Sequence, residues 1–224
     1  MFVAGVDDAG RGSLIGPLVV AGVLFKEQDI KKLEEIGVKD SKLLTPTQRS
    51  ELAEKIKFIA LKYKFVEISP QEIDRVVLEG KKRFKLNWLE AKAMAEVIKN
   101  LKPDLVYVDA SDVNAERFGK QIENFLPIKV KIVSEHKADK TRLVVGAASI
   151  LAKVHRDNII AKLRSFYGDL GSGYPHDPKT LNFLRKWFKD HKEYPEFLRK
   201  SWKTTKKVRP EILSNQEKLR RYFT

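Results

Sequence analysis

Three aspartates stand where apolar segments give out. Asp7 follows Phe2 to Val6, Asp109 follows Leu105 to Val108, and Asp139 comes after a segment that finishes near Val133. If those segments are strands of one sheet, the carboxylates converge at a single edge. An isolated aspartate in such a place is ordinarily a turn residue or a helix cap. Several together need a reason to coexist, because unpaired like charges gathered in one site repel strongly unless a cation sits among them. Hard oxygen donors favour Mg²⁺ or Mn²⁺. In a basic chain the matching chemistry is phosphodiester hydrolysis, in which one ion acidifies an attacking water and a second, about 4 Å away, stabilises the leaving oxygen.

The stretch Asp7-Asp8-Ala9-Gly10-Arg11-Gly12 adds a second kind of chemistry. Glycines on both sides of an arginine let the backbone approach a ligand closely, with N–H groups and a planar cation available to phosphate or ribose oxygens. Tyr174, between Gly173 and Pro175, is placed to stack on a sugar or bond a hydroxyl, or else to anchor its own loop. His136, three residues before Asp139, reads equally as a proton shuttle or a surface residue.

Composition bounds the partners. With 44 Lys+Arg against 30 Asp+Glu the formal net charge is +14, which points to a polyanion such as nucleic acid. Residues 199–224 hold nine basic and two acidic side chains, half of that excess, and read as a basic arm on a mildly basic body. The absence of cysteine excludes a disulfide scaffold and a cysteine-ligated zinc site. The longest apolar run, Leu14 to Phe25, contains Gly16 and Pro17 and is too short to span a bilayer, so no membrane association is expected. Asp7 and Asp8 precede that run where a secretory signal carries positive charge, so a cytoplasmic location is expected.

The elements that must position these residues are legible from their punctuation. Phe2 to Val6 and Leu14 to Phe25 pair as a hairpin around the Gly10-Arg11-Gly12 turn. Thr45-Pro46-Thr47-Gln48 and Ser69-Pro70-Gln71-Glu72 each open a helix with a hydroxyl cap, a proline in the first turn and a side chain reaching back. Strands follow at 64–68, 105–108 and 128–133, and helices at 88–101, from the Asn114 cap to about 125, and over 143–166. Beyond Gly173-Tyr174-Pro175 the content turns helical and aromatic, with Phe183, Trp187 and Phe188 at helical spacing. An antiparallel opening followed by β-α-β units predicts an α/β fold, a mixed sheet with helices on its faces.

Taken in order, these segments resemble the type 2 ribonuclease H family, its archaeal branch in particular. The matching blocks are Gly5 to Gly12 with Ile15-Gly16-Pro17, Lys39 to Thr45, Tyr107-Val108-Asp109-Ala110, His136-Lys137-Ala138-Asp139, Ala147 to Lys153, and Gly171 to Pro175. The resemblance implies a ribonuclease H-like five-stranded mixed sheet flanked by helices, with a small helical C-terminal region. It implies a catalytic domain over 1–175, the helical region over 176–209 and a flexible tail over 210–224. It also implies metal-binding catalytic carboxylates at Asp7, Asp8, Asp109 and Asp139, with Gly10, Arg11, Gly12 and Tyr174 recognising a 2′-hydroxyl. The implied reaction is endonucleolytic hydrolysis of the RNA strand of RNA–DNA hybrids and incision 5′ of ribonucleotides embedded in DNA, leaving 5′-phosphate and 3′-hydroxyl ends. Lys39, Lys42, Lys137 and Lys153 are expected as phosphate contacts, with solvated surface as the alternative. Two departures from the family pattern are present: Asp8 stands where the family has Glu, one methylene longer, and Asp139 is followed by Lys140-Thr141 rather than an aromatic-proline pair.

The tail carries Gln216, Leu219, Tyr222 and Phe223 at the spacing of a sliding-clamp peptide, in which a helical turn presents three apolar side chains as one plug. Docking of the two aromatics on the parent domain is the alternative. A clamp partner, a role in DNA replication and repair, and a monomeric state are expected. Two competing classes remain, a branched-DNA nuclease of the same superfold and a non-catalytic basic binding protein whose carboxylates are structural.

Overall fold

The computed structural model describes residues 1–38, 44–79 and 85–209; Lys39, Lys42 and the tail with Gln216, Leu219, Tyr222 and Phe223 lie outside them. In chain order the elements are β1 (Phe2–Ala9), β2 (Leu18–Lys26), α1 (Lys31–Glu35), α2 (Pro46–Ile59), β3 (Lys62–Ile68), α3 (Pro70–Glu79), α4 (Lys85–Leu101), β4 (Leu105–Asp109), α5 (Ala115–Glu123), β5 (Lys131–Glu135), α6 (Ala138–Thr141), α7 (Leu143–Tyr167) and α8 (Pro178–Asp190). The helix starts follow the sequence signals. Gln48 N donates to Thr45 Oγ1 at 3.3 Å while Thr45 N donates to Gln48 Oε1 at 3.0 Å, closing a capping box ahead of Pro46. Ser69 Oγ accepts from Glu72 N at 3.1 Å, and Asn114 Oδ1 from Arg117 N at 2.8 Å. Among the described residues no helix is long and apolar enough to cross a membrane.

The five strands form one mixed sheet in the order β3-β2-β1-β4-β5. β1 runs antiparallel to β2, from Phe2 opposite Lys26 to Ala9 opposite Val19, and parallel to β4, which is itself parallel to β5. Parallel neighbours end at the same edge, so β1, β4 and β5 deliver their last residues side by side. That edge is where open α/β sheets ordinarily carry ligands. As an interior strand, β2 is buried along its whole length except Lys26.

Glycines in the sheet show how closely helices approach both faces. A Cβ on Gly22 would stand 2.4 Å from Val97 Cγ1 and 3.3 Å from Val6 Cγ2, so α4 presses on the face that carries Val6. Gly5 alternates to the other face, where a Cβ would stand 2.1 Å from the Val144 carbonyl carbon, so the start of α7 lies directly on the strand.

Contacts divide the chain into two compact units that are not consecutive in sequence. One comprises 1–9, 19–68 and 81–156; the other comprises 10–18, 69–80 and residues from 157 onward. The first holds the sheet. The second is built on an apolar cluster in which Leu14 and Ile15 join Leu184, Phe188, Phe197 and Leu198. Buried Asp74 ties α3 into it by accepting from Lys200 N at 2.8 Å, Ser201 N at 2.9 Å and Ser201 Oγ at 2.6 Å.

Three expectations are corrected. β2 begins at Leu18, because Leu14 and Ile15 are buried in the apolar cluster of the second unit, not paired in the sheet, and Gly16 turns the chain at φ 84°. β5 is displaced to Lys131–Glu135, since pairing with β4 sets its register, Leu105 opposite Lys131, and Ile128 is left exposed. The basic arm read over 199–224 is in part interior, since within 199–209 Arg199, Ser201, Thr205 and Val208 are buried.

Candidate active site

β1 carries two aspartates just before its end, and alternation sends them to opposite faces. Asp7 shares the α7 face with Gly5, and Asp8 shares the α4 face with Val6. Asp7 is 7% exposed, and its Oδ1 accepts from the Asp8 amide at 2.7 Å. On α7, Ser149 hydrogen-bonds the Asp7 carboxylate, and Lys153 Nζ, one helical turn further, donates to Ser149 Oγ at 2.8 Å. Asp8 Oδ2 accepts from Ser111 Oγ at 3.2 Å.

β4 supplies the third carboxylate. Val6 stands opposite Val108, so the next residues, Asp7 and Asp109, are neighbours across the parallel pair. Beyond β5 the chain turns through Lys137 at φ 58°, and the amides that open α6 meet Asp109: Ala138 N donates to its Oδ1 at 2.7 Å, and the Asp139 amide bonds it too. Asp139 is thereby brought beside Asp109. The turn is braced by Arg142, which donates to Glu135 Oε2 and Oε1 at 2.9 and 2.7 Å and lies over the Tyr107 ring at 4.6 Å.

Electrostatics separates these acids from their neighbours. Burial first, then the charge of Asp8 and after it that of Asp109, pushes the Asp7 carboxyl well above its ordinary value, with Ser149 and the Asp8 amide pulling the other way. Partial burial raises Asp109 as well, and the charge of Asp139 adds to it against the Ala138 amide and His136. Glu135, next to Asp109 in the sheet, is held below its ordinary value by the Arg142 hydrogen bonds. Asp112 is also lowered: burial acts upward, but the Asn114 amide, Asn87 and Arg117 outweigh it. Glu135 and Asp112 are thus each matched to an arginine, whereas Asp7 is raised by the charges of Asp8 and Asp109, and Asp109 by that of Asp139.

Among the described residues no three carboxylate or imidazole side chains are drawn together tightly enough to share one ion. The chemistry of Asp7 and Asp109 nonetheless suits a divalent cation, because both present hard oxygens and the repulsion that raises them is what such a cation relieves.

The remaining sequence candidates divide between the units. Lys153 is half-buried with its ammonium on Ser149, and Lys137 is exposed beside His136. Gly10, Arg11, Gly12 and Tyr174 belong to the second unit. There Ser13 closes the glycine turn, its N at 3.2 Å and Oγ at 2.9 Å from Gly10 O, with Gly10 at φ 88°. Leu14 N and Ile15 N both donate to Gly173 O, at 2.7 and 3.1 Å, which ties this turn to the Tyr174 loop. Asp177 orders the other side of that loop, accepting from Ser172 N at 2.6 Å and Lys179 N at 2.9 Å, and these bonds hold its carboxyl at about 2. Ser111, and Ser149 in its role on Asp7, were not singled out by sequence; the spacing of Ser149 and Lys153 by four on a helix was the available signal.

A mixed five-stranded sheet with acids at the common end of its parallel strands, and helices on both faces, is the architecture of ribonuclease H-like nucleases. The ribonuclease HII family model matches residues 4–205. The curated ribonuclease HII of Pyrococcus furiosus is 48% identical over 221 residues, covering 98% of this chain and 96% of its own length. Among solved structures, the ribonuclease H2 of Pyrococcus horikoshii OT3 superposes with a TM-score of 0.88 at 41% identity, covering 95% of this chain and 99% of that one. The RNase HII of the PCNA:RNase HII complex from Archaeoglobus fulgidus gives 0.83 at 40% identity, covering 92% and 96%. The chain therefore belongs to the ribonuclease HII family. It is an endoribonuclease, a hydrolase of the ribonuclease H type acting on RNA–DNA hybrids.

Proposed function

We propose that the enzyme also incises DNA 5′ of single embedded ribonucleotides, using Asp7, Asp8, Asp109 and Asp139 as its catalytic, cation-holding carboxylates. The placement of Asp7 and Asp109 side by side at the shared strand edge, each raised by burial and by neighbouring aspartates, is the observation that carries this reading. When bound there, a hard divalent cation, Mg²⁺ or Mn²⁺, supplies charge neutralisation and the acidity that makes water a nucleophile. Asp109 is aimed by the Ala138 amide, and Asp7 by the Asp8 amide and Ser149, so each presents its oxygens in a fixed direction. Attack on the phosphorus 5′ of the ribonucleotide breaks the P–O3′ bond, leaving a 3′-hydroxyl upstream and a 5′-phosphate on the ribonucleotide.

The 2′-hydroxyl is what separates RNA from DNA at such a site. The backbone of Gly10, Arg11 and Gly12 with Tyr174 is proposed to read it, supported by the hydrogen bonds through Gly173 O that hold these two loops together. Lys137 and Lys153 are proposed to meet phosphates, as are Lys39 and Lys42 outside the described residues, in keeping with the net charge of +14. The test is incision of a duplex that carries one ribonucleotide, against its all-DNA counterpart.

The tail is proposed to bind a sliding clamp through Gln216, Leu219, Tyr222 and Phe223, with the clamp complex of the Archaeoglobus fulgidus relative in support. A cytoplasmic monomer acting in replication and repair completes the proposal. Deleting 216–224 is expected to abolish clamp binding in a calorimetric titration and to leave cleavage of short substrates within about twofold, since avidity alone is lost. Clamp affinity that survives the deletion would remove this role.

A further inference from the structure

Among the described residues Arg199 is the largest fully buried side chain, 0% exposed, and a buried guanidinium is retained only when its donors are met. Its partners include backbone oxygens on both limbs of one loop. Nη1 donates to Arg11 O at 2.8 Å, and Nε and Nη2 donate to Gly16 O at 3.2 and 3.1 Å. The chain on either side is locked to the same loop: Gly16 N donates to Phe197 O at 2.8 Å and Arg199 N to Leu14 O at 2.9 Å. The Trp202 ring covers the guanidinium at 5.1 Å.

A carbonyl that accepts from Arg199 fixes the plane of its own peptide unit. Holding Arg11 O therefore sets the direction of the Gly12 N–H, which shares that peptide plane. Glycine backbone is otherwise free to take many orientations, and the bonds of Ser13 to Gly10 O fix only the other limb of the turn. Because Gly16 O is held by the same planar fork, the fork also sets the spacing of Arg11 from Gly16. Leu14 and Ile15, whose amides hold Gly173 O, lie within that span.

We infer that Arg199 is a positioning residue for ribonucleotide discrimination: its guanidinium orients the Gly10-Arg11-Gly12 backbone, and through Leu14 and Ile15 the Tyr174 loop, toward a 2′-hydroxyl. This rests on the proposal that these loops read the 2′-hydroxyl. Arg199 itself touches no substrate. Lysine keeps the charge and much of the length but has no planar fork, so Arg199→Lys holds one carbonyl and releases the other.

The experiment is fluorescence anisotropy in EDTA, with no cleavage possible, on a duplex bearing one ribonucleotide and on the same duplex in all-DNA form. The unaltered chain is expected to favour the ribonucleotide duplex about tenfold, the worth of one or two hydrogen bonds. Arg199→Lys and Arg199→Gln are expected to reduce that preference to below about twofold while all-DNA affinity and melting temperature hold. A preference retained in either folded variant overturns the role of Arg199 alone. Equal loss of both affinities, or failure of both variants to fold, also overturns it, because the residue is then structural. Absence of any preference in the unaltered chain overturns the loop assignment and this inference with it.

Discussion

Asp109→Asn is expected to lower the rate of hybrid cleavage by about 10³-fold while leaving the protein folded and able to bind. The side chain keeps its shape and a carbonyl oxygen, so the Ala138 amide, now 2.7 Å from Oδ1, retains its acceptor and α6 its entry. The negative charge is what disappears. Charge stabilisation of several kcal/mol at a phosphoryl centre corresponds to about three powers of ten. Asp109 is also one of the acids whose ionisation is opposed by burial and by Asp139, and it in turn raises Asp7. Removing it relieves that repulsion, so the melting temperature should hold or rise. Single-turnover cleavage with and without Mg²⁺, binding in EDTA, and a thermal melt make the check. Near-full activity would remove Asp109 from the chemistry, and a lost fold would make it structural.

Gly5→Ala is expected to be the most destabilising small change in the sheet. The added Cβ would meet Val144 C and O at 2.1 Å and Val145 N at 2.5 Å, all backbone atoms that no rotamer change can move aside. Either α7 lifts from β1 or the strand bends. Overpacking of this kind costs about 3 kcal/mol or more, which for a chain of this size lowers the melting point by about 10 °C. Activity should fall with it, because α7 carries Ser149 onto Asp7. A melt within about 2 °C of the unaltered chain would contradict the close approach of helix and strand.

Much of the fold was legible because local signals and tertiary demands agree. Thr45 and Asn114 open helices by hydrogen bonds made within their own turns, and no distant residue can change that. Leu14 to Pro17 were misassigned because an apolar run states only that residues are buried, not against what: Leu18 to Phe25 bury in the sheet, Leu14 and Ile15 against Phe197 and Leu198. The shift of β5 has a related origin, since the pairing of Leu105 with Lys131 is fixed by β4 and not by the propensity of Ile128 to Val133.

In the site, the aspartates could be found from their places at strand ends, which backbone direction alone supplies. Their separation from Glu135 and Asp112 could not, because that depends on Arg142 and Arg117 arriving from other elements. Arg199 was the most deeply hidden. In sequence it is one of nine basic residues near the C-terminus, and only the carbonyls of Arg11 and Gly16, more than 180 positions away, show it to be interior.

The most direct measurement incubates this chain and its Asp8→Glu variant with a DNA duplex bearing one ribonucleotide, titrating Mg²⁺ and Mn²⁺ separately and mapping the ends. A single incision on the 5′ side of the ribonucleotide, with 3′-hydroxyl and 5′-phosphate termini and no cutting of the all-DNA duplex, is the expected result. Asp8→Glu should be the faster of the two, since the longer arm extends the carboxylate past its present bond with Ser111. Failure of both chains to cut with either ion, or equal cutting of the all-DNA duplex, would contradict a ribonucleotide-directed carboxylate site.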